Sequence, residues 1–258
     1  MTDTISRRAW LGGGVSAALG LGLASCDRLT QSPAVNATLD GAEGLNRRVQ
    51  GLLAGREGLA REFPVSAISP DFKANGTTSP DSSDYQAMVA NGFADWRLQI
   101  GGLVERPLSL SLAELRREAE RSQITRHDCV EGWSGIAQWR GARLGPLLTR
   151  AGLKPQARYI AFFCADTLEL TLDGTGDYYE TIAIADAFHE QTILAHEMNG
   201  APLPVAHGAP IRLRLERQLG YKMAKYVMRI EAIDSFAKLG RGKGGYWEDR
   251  GYQWYAGV

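Results

Sequence analysis

The chain has little cysteine, no excess charge of either sign and no apolar run long enough to cross a bilayer. Three cysteines in 258 residues, with no C-x-x-C pair, exclude a disulfide scaffold and the usual zinc and thioredoxin-like motifs. Lys and Arg together number 29, as do Asp and Glu, for a formal net charge of zero. That balance argues against a nucleic-acid binder working through a basic surface. There is no G-x-G-x-x-G after a strand, no Walker sequence and no G-x-S-x-G. Nucleotide-cofactor and serine-hydrolase readings therefore lose their ordinary support. What remains is a globular composition, 44% hydrophobic and 22% charged, with enough apolar mass for a core.

The N-terminus reads as an address. Ser6-Arg7-Arg8 precedes a Gly/Ala/Leu-rich run from Leu11 to Ala24. As a helix that run would be roughly 21 Å long, short of a ~30 Å hydrocarbon core. Paired arginines before a weakly apolar stretch resemble a twin-arginine export signal, residues 1–25, whose common clients load a cofactor before export. Leu23-Ala24-Ser25-Cys26 resembles a lipobox, with Cys26 as the acylated residue. Residues 26–44 are small and polar, the composition of a flexible tether. The expected location is the periplasmic side of the inner membrane, held by a lipid anchor.

Residues 45–80 read as a helix, with an apolar stripe at Leu45, Val49, Leu52, Leu53 and Leu59, and then a loop from Pro64 to Pro80. Residues 81–258 read as the catalytic domain. Strands are expected at 97–100, 124–130, 158–164, 179–184, 192–197, 211–215 and 226–233. Ser111-Leu112-Ala113-Glu114 spells a capping box, and Leu144 to Ala151 a helix stopped by Gly152. Short strands with short helices between them predict an α+β fold with mixed sheets packed face to face.

Three segments carry candidate chemistry: Asp128-Cys129-Val130-Glu131-Gly132-Trp133-Ser134, Met198-Asn199-Gly200 through His207 to Arg212, and Gly220-Tyr221-Lys222-Met223-Ala224-Lys225. Singly, each has a structural explanation: a small buried thiol, a turn, a solvated lysine face. Together, in this order and spacing, they resemble the sulfite oxidase family of molybdopterin enzymes, which includes bacterial methionine-sulfoxide reductases. The likeness runs from about Ser69 to the C-terminus.

The resemblance implies a molybdenum-molybdopterin cofactor with Cys129 as the protein thiolate on the metal, a soft ligand suited to it. It places the cofactor phosphate near Arg212 and Lys225, with backbone amides at Met223 and Ala224. Asn75, Asp166 and His207 fall where the family contacts the pterin. Cys164 reads as a core thiol or part of the pterin wall; a Cys129–Cys164 disulfide would be incompatible with metal binding. His127 reads as support for Cys129 or as a core histidine, and His189 and His196 as structural or surface residues.

The sequence departs from sulfite oxidases in its charges. Ala74 stands where the family has an arginine, and no arginine occurs from Val130 to Ser134. Trp133 and the tail aromatics (Tyr246, Trp247, Tyr252, Trp254, Tyr255) suggest an apolar entrance. The expected activity is two-electron oxygen-atom transfer on a small or organic substrate. The alternatives are a sulfite dehydrogenase using other cations such as Lys73 or Arg126, and a non-catalytic lipoprotein that binds a ligand or partner. No C-x-x-C-H haem motif occurs, so electrons are expected from a separate partner, such as a haem- or quinone-linked membrane protein.

Overall fold

The computed structural model describes residue 32 and residues 58–258. The export signal, the tether, Cys26 and the helix expected before residue 58 lie outside the described residues. From residue 58 onward the chain falls in one compact unit, Ala54–Val258.

Two five-stranded sheets build this unit. The first contains β1 (Arg97–Gly102), β2 (Leu108–Ser111), β5 (Tyr159–Thr167), β6 (Asp177–Ala183) and β10 (Val227–Ile233), in the order β2-β1-β10-β5-β6. Its β1–β10 pair is parallel and the others antiparallel, so the sheet is mixed. The second contains β3 (Glu120–Asp128), β4 (Ser134–Arg143), β7 (Ile193–Met198) and the short β8 (Ala201–Pro202), with β9 (Arg212–Arg214) also paired to β7. The described residues also form four short α-helices, α1 (Ser83–Ala90), α2 (Leu112–Leu115), α3 (Leu144–Ala151) and α4 (Ile184–Ala187). One core is shared by both sheets: Ile100, Ile160, Phe162 and Ile230 from the first meet Ala142, Leu194 and Leu213 from the second. Leu144, Leu147 and Leu148 of α3 fill the same core. The α+β expectation is met.

Local chemistry accounts for several boundaries. Both halves of the capping box form, Ser111 accepting from the Glu114 amide and Glu114 from the Ser111 amide. Helix α3 ends where Gly152 turns left-handed, at φ 72°.

Five of these elements, β2, β4, β8, α1 and α4, are absent from the expected ones, and β4 and α1 show why. In β4 the buried positions include Gly135, Ala137 and Gly141, too small to register as an apolar stripe. Their size is set by close neighbours. A Cβ at Gly141 would stand 2.1 Å from the Leu194 carbonyl oxygen, and one at Gly135 would stand 2.9 Å from the Phe72 ring. Helix α1 buries only Tyr85, so it has no periodic face to read.

The loop expected from Pro64 to Pro80 is ordered against the second sheet. The amides of Phe63 and Ser69 donate to the Ile124 and Ile136 carbonyls. Phe72 joins Ala137, Trp139, Ile193 and Leu203 in a second, smaller core.

Candidate active site

Strands β3 and β4 form a long hairpin whose register runs from Glu120↔Ala142 to Asp128↔Ser134. The five residues between them, Cys129 to Trp133, make the loop that presents the thiol. The Cys129 amide donates to the Trp133 carbonyl, and the Gly132 amide donates back to the Cys129 carbonyl. Ser134 Oγ donates to Asp128 Oδ1 at 2.5 Å, and Arg126 Nε to Asp128 Oδ2 at 2.9 Å, pinning the loop base.

Cys129 opens on a cavity of about 490 Å³. Asn75, Asp166, Met223 and Lys225 line it as well, so five of the expected site residues meet in one place. Arg212, His207 and Ala224 do not line the cavity. Arg212 is fully buried, and donates to the His207 carbonyl at 3.2 Å and the Met223 carbonyl at 3.4 Å. Cys129 and Cys164 are both free thiols, which removes the disulfide alternative. Cys164 packs half-buried against the main core, the structural role foreseen for it.

His127 is a core histidine. It is fully buried, and its Nδ1 accepts from Arg214 Nη1 at 3.0 Å. Burial and the Arg214 charge keep it neutral. His196 is likewise buried, with Nε2 at 2.7 Å from Glu120. His189 is half-buried, with Nε2 at 3.1 Å from the Gly58 carbonyl.

The wall facing Cys129 is aromatic. Tyr178, Tyr221, Tyr246, Trp247 and Tyr252 all line the cavity. Their rings touch in sequence: Tyr178 stacks on Tyr246 at 5.8 Å, Tyr246 meets Trp247 edge-on at 5.2 Å, Trp247 stacks on Tyr252 at 5.3 Å, and Tyr252 meets Tyr221 at 5.1 Å. The tail aromatics Tyr246, Trp247 and Tyr252 thus serve the entrance, as their composition suggested. Trp254 and Trp133 do not line it: Trp254 stacks on Phe236 and meets Tyr159 edge-on, and Trp133 packs on Phe72 and His127. Tyr178, Leu168 and Glu169, at the ends of β5 and β6, were invisible in the sequence. They carry no motif, and only the fold brings them beside Cys129.

Buried charge is distributed unevenly. Four cations are nearly or wholly removed from solvent: Arg212, Arg214, Lys222 and Lys225. Arg214 pairs with Glu216 at 2.6 Å, and Lys222 lies 2.5 Å from both Glu180 and Glu248. Arg212 and Lys225 have no salt-bridge carboxylate among the described residues. Lys225 Nζ instead donates to the carbonyls of Asn75 (2.6 Å), Thr77 and Ala206 (3.3 Å). Tyr226, at a positive φ of 53°, adds its hydroxyl to the Thr77 carbonyl. The two side chains together clamp the 75–77 loop against the cavity.

Burial and the Arg212 charge push Lys225 down to about 7. Burial and Arg214 push Arg212 down to about 9. Burying unpaired cations is costly unless an anion joins them. This pair is therefore what a buried phosphate requires, and Asp166 adds an Oδ1 with no partner among the described residues. Burial raises Asp166 to about 6, and burial and Arg212 lower His207 to about 4, leaving its ring neutral at neutral pH.

The thiol needs help of a different kind. In the protein alone, burial pushes Cys129 above the ordinary thiol value. A thiolate there requires a cation at the sulfur. Among the described residues no cluster of three His, Cys, Asp or Glu could hold a metal ion. A single thiolate suits a metal that brings most of its ligands with it, and the residues present fit a molybdenum cofactor.

One prediction follows from Lys225. An anion binds the protonated amine, so in wild-type protein cofactor affinity falls as pH rises above about 7, by up to about tenfold per unit. Lys225→Gln should weaken retention about ten- to a hundredfold and flatten that slope. Cofactor release followed between pH 6 and 9 checks both; an unchanged slope removes Lys225 from phosphate binding.

Comparison with known proteins agrees with this geometry. The family profile described as an oxidoreductase molybdopterin binding domain matches residues 86–238. A protein of Azospira oryzae named as a protein-methionine-sulfoxide reductase subunit, YedZ1, is 35% identical over 92% of this chain and 83% of its own length. The protein-methionine-sulfoxide reductase catalytic subunit MsrP of Xanthomonas axonopodis is 34% identical over 69% of this chain and 56% of its own. Among solved structures, the sulfane dehydrogenase SoxCD of Paracoccus pantotrophus matches at TM-score 0.48 and 24% identity, covering 55% of this chain and 39% of that one.

Proposed function

Since this chain belongs to the oxidoreductase family built on the molybdopterin binding domain, we propose that it reduces organic S-oxides, methionine sulfoxide in polypeptides foremost, by two-electron oxygen-atom transfer. The observation that carries this reading is the cavity wall: five aromatic side chains, no arginine, and one lysine, Lys225, which is assigned to the cofactor phosphate. Such a surface suits a neutral sulfoxide with apolar substituents and leaves a sulfite dianion without partners.

A bound molybdenum cofactor would supply two-electron oxygen-atom-transfer chemistry. The protein's share is binding and exclusion. Cys129 would hold the metal; Lys225, with the charge of Arg212 behind it and the backbone at Met223 and Ala224, would hold the phosphate; Asn75, Asp166 and His207 would meet the pterin. The rings of Tyr178, Tyr246 and Trp247 cover the substrate's apolar groups and keep water from the site. Reducing a sulfoxide to a sulfide consumes two electrons and two protons and releases water. The electrons come from a separate partner, consistent with relatives named as subunits.

Sulfite dehydrogenation is the poorer fit. Its candidate cations are already engaged, Lys73 with Glu131 at 3.3 Å and Arg126 with Asp128 at 2.9 Å. The N-terminal signal supports twin-arginine export and a lipid anchor at Cys26, which would put the site in the periplasm beside a haem- or quinone-linked membrane donor.

The test is full-length protein purified from cells able to make the cofactor, supplied with an artificial electron carrier and a panel of S-oxides, N-oxides and sulfite. S-oxides should be preferred to sulfite by about a hundredfold or more in kcat/KM, a margin of about 2.7 kcal/mol. Sulfite turning over faster would overturn the reading, and so would protein without molybdenum. In the same cells the protein should fractionate with membranes; recovery from the cytoplasm would remove the export assignment.

A further inference from the structure

The segment leaving β5 runs Leu168-Glu169-Leu170-Thr171-Leu172 before turning back into β6. Leu168 and Glu169 line the cavity. Leu170 and Leu172, next along the same segment, are fully exposed to solvent. Val130, beside the thiol, and Tyr252, in the aromatic wall, line the cavity and are themselves 48% and 38% exposed. Four of the eight exposed large apolar side chains among the described residues therefore stand on segments that form this one site. Scattered exposed leucines are ordinary, but a concentration at the mouth of a cavity marks a contact surface.

We propose that Leu170 and Leu172 are specificity-determining residues that grip apolar side chains flanking the sulfoxide in a polypeptide substrate. The inference rests on the reductase reading above and deepens it. Leu170 and Leu172 lie within four residues of the cavity-lining Leu168, so a substrate longer than the cavity passes the segment that carries them. Charge separates a polypeptide from a lipid surface as the occupant. From 168 to 177 the segment carries Glu169, Asp173 and Asp177 and no lysine or arginine; Arg250 pairs with Glu169 at 2.8 Å, which leaves the two aspartates to repel an anionic bilayer. Glu169 is held ionised by hydrogen bonds from Arg250. A peptide with apolar flanks, neutral or basic overall, meets both features.

The experiment compares wild-type holoenzyme with a Leu170→Ser/Leu172→Ser double variant, using an artificial electron donor so that no protein partner takes part. Three substrates are used: dimethyl sulfoxide, a ten-residue peptide with leucines flanking one methionine sulfoxide, and the same peptide with serines there. The variant should show KM about tenfold higher for the leucine-flanked peptide with kcat unchanged, and no change for dimethyl sulfoxide. Wild type should prefer the leucine-flanked peptide to the serine-flanked one by a similar factor.

Equal KM values for the two proteins on the leucine-flanked peptide overturn the proposal. So does an equal loss on all three substrates, or loss of binding to phosphatidylglycerol vesicles with peptide kinetics intact. Equilibrium binding of the peptides keeps the two readings apart. If wild type reduces no S-oxide yet binds the leucine-flanked peptide tenfold tighter than the variant does, the reductase reading fails and the rim assignment stands.

Discussion

Cys129→Ser is expected to leave a folded protein whose turnover falls by on the order of a thousandfold or more, the scale of losing a preorganised catalytic group. The hairpin loop that carries the residue is held by backbone bonds between Cys129, Gly132 and Trp133, none of which involves the sulfur. Serine is smaller by little, so the cavity wall keeps its shape. What changes is the donor. A thiol loses its proton to solvent when a metal binds the sulfur, whereas a serine hydroxyl holds its own far more tightly and is a hard ligand where a soft one is wanted. Turnover, molybdenum content and thermal unfolding, measured on one preparation, decide the matter. Activity within tenfold of wild type would take Cys129 off the metal.

Lys222→Met is expected to cost about 3–5 kcal/mol of stability, because it takes the cation from a buried acid pair. Lys222 is fully buried between Glu180 and Glu248, and each carboxylate has a second oxygen with no partner among the described residues. One ammonium cannot balance two carboxylates. Burial and the Glu248 charge accordingly hold Glu180 well above the ordinary carboxylate range. The folded protein thus keeps a proton there that the unfolded chain has lost above about pH 4.5. Between that value and Glu180's raised one, stability falls as pH rises, by up to about 1.4 kcal/mol per unit. Glu180→Gln should abolish this slope, and Lys222→Met should recover stability on acidification. Denaturant unfolding from pH 5 to 9 gives all three curves; a wild-type slope surviving in Glu180→Gln would place the proton elsewhere. Glu248 lies between Trp247 and the rest of the tail, so Lys222→Met should also raise KM by loosening the aromatic wall.

Resemblance to the sulfite oxidase family, carried by motifs around Cys129 and Met223–Lys225 that lie more than ninety residues apart, made Cys129, Asn75, Asp166, Met223 and Lys225 legible as one site. The strands rich in large apolar side chains, such as β5 and β10, were equally plain. Strand β4 was not, because its inward positions are emptied to admit Phe72 and the Leu194 backbone. Periodicity registers side chains, and here the information lies in their removal. Sequence also assigned Lys225 to the phosphate alone, without its grip on the 75–77 loop, since a carbonyl acceptor leaves no trace in residue identity. Tyr178 and Glu169 flank a turn with no signature, and their place in the cavity depends on the pairing of β5 with β6.

The unpaired charges of Arg212 and Lys225 also make the empty site a source of conformational stress that the filled one relieves. An anion bound only by the native state draws the folding equilibrium toward it, by about 4 kcal/mol at a thousand times its dissociation constant. Loading with cofactor then becomes a form of quality control. A chain without it melts earlier and is the better target for proteolysis, so the pool that survives is enriched in molecules equipped to work.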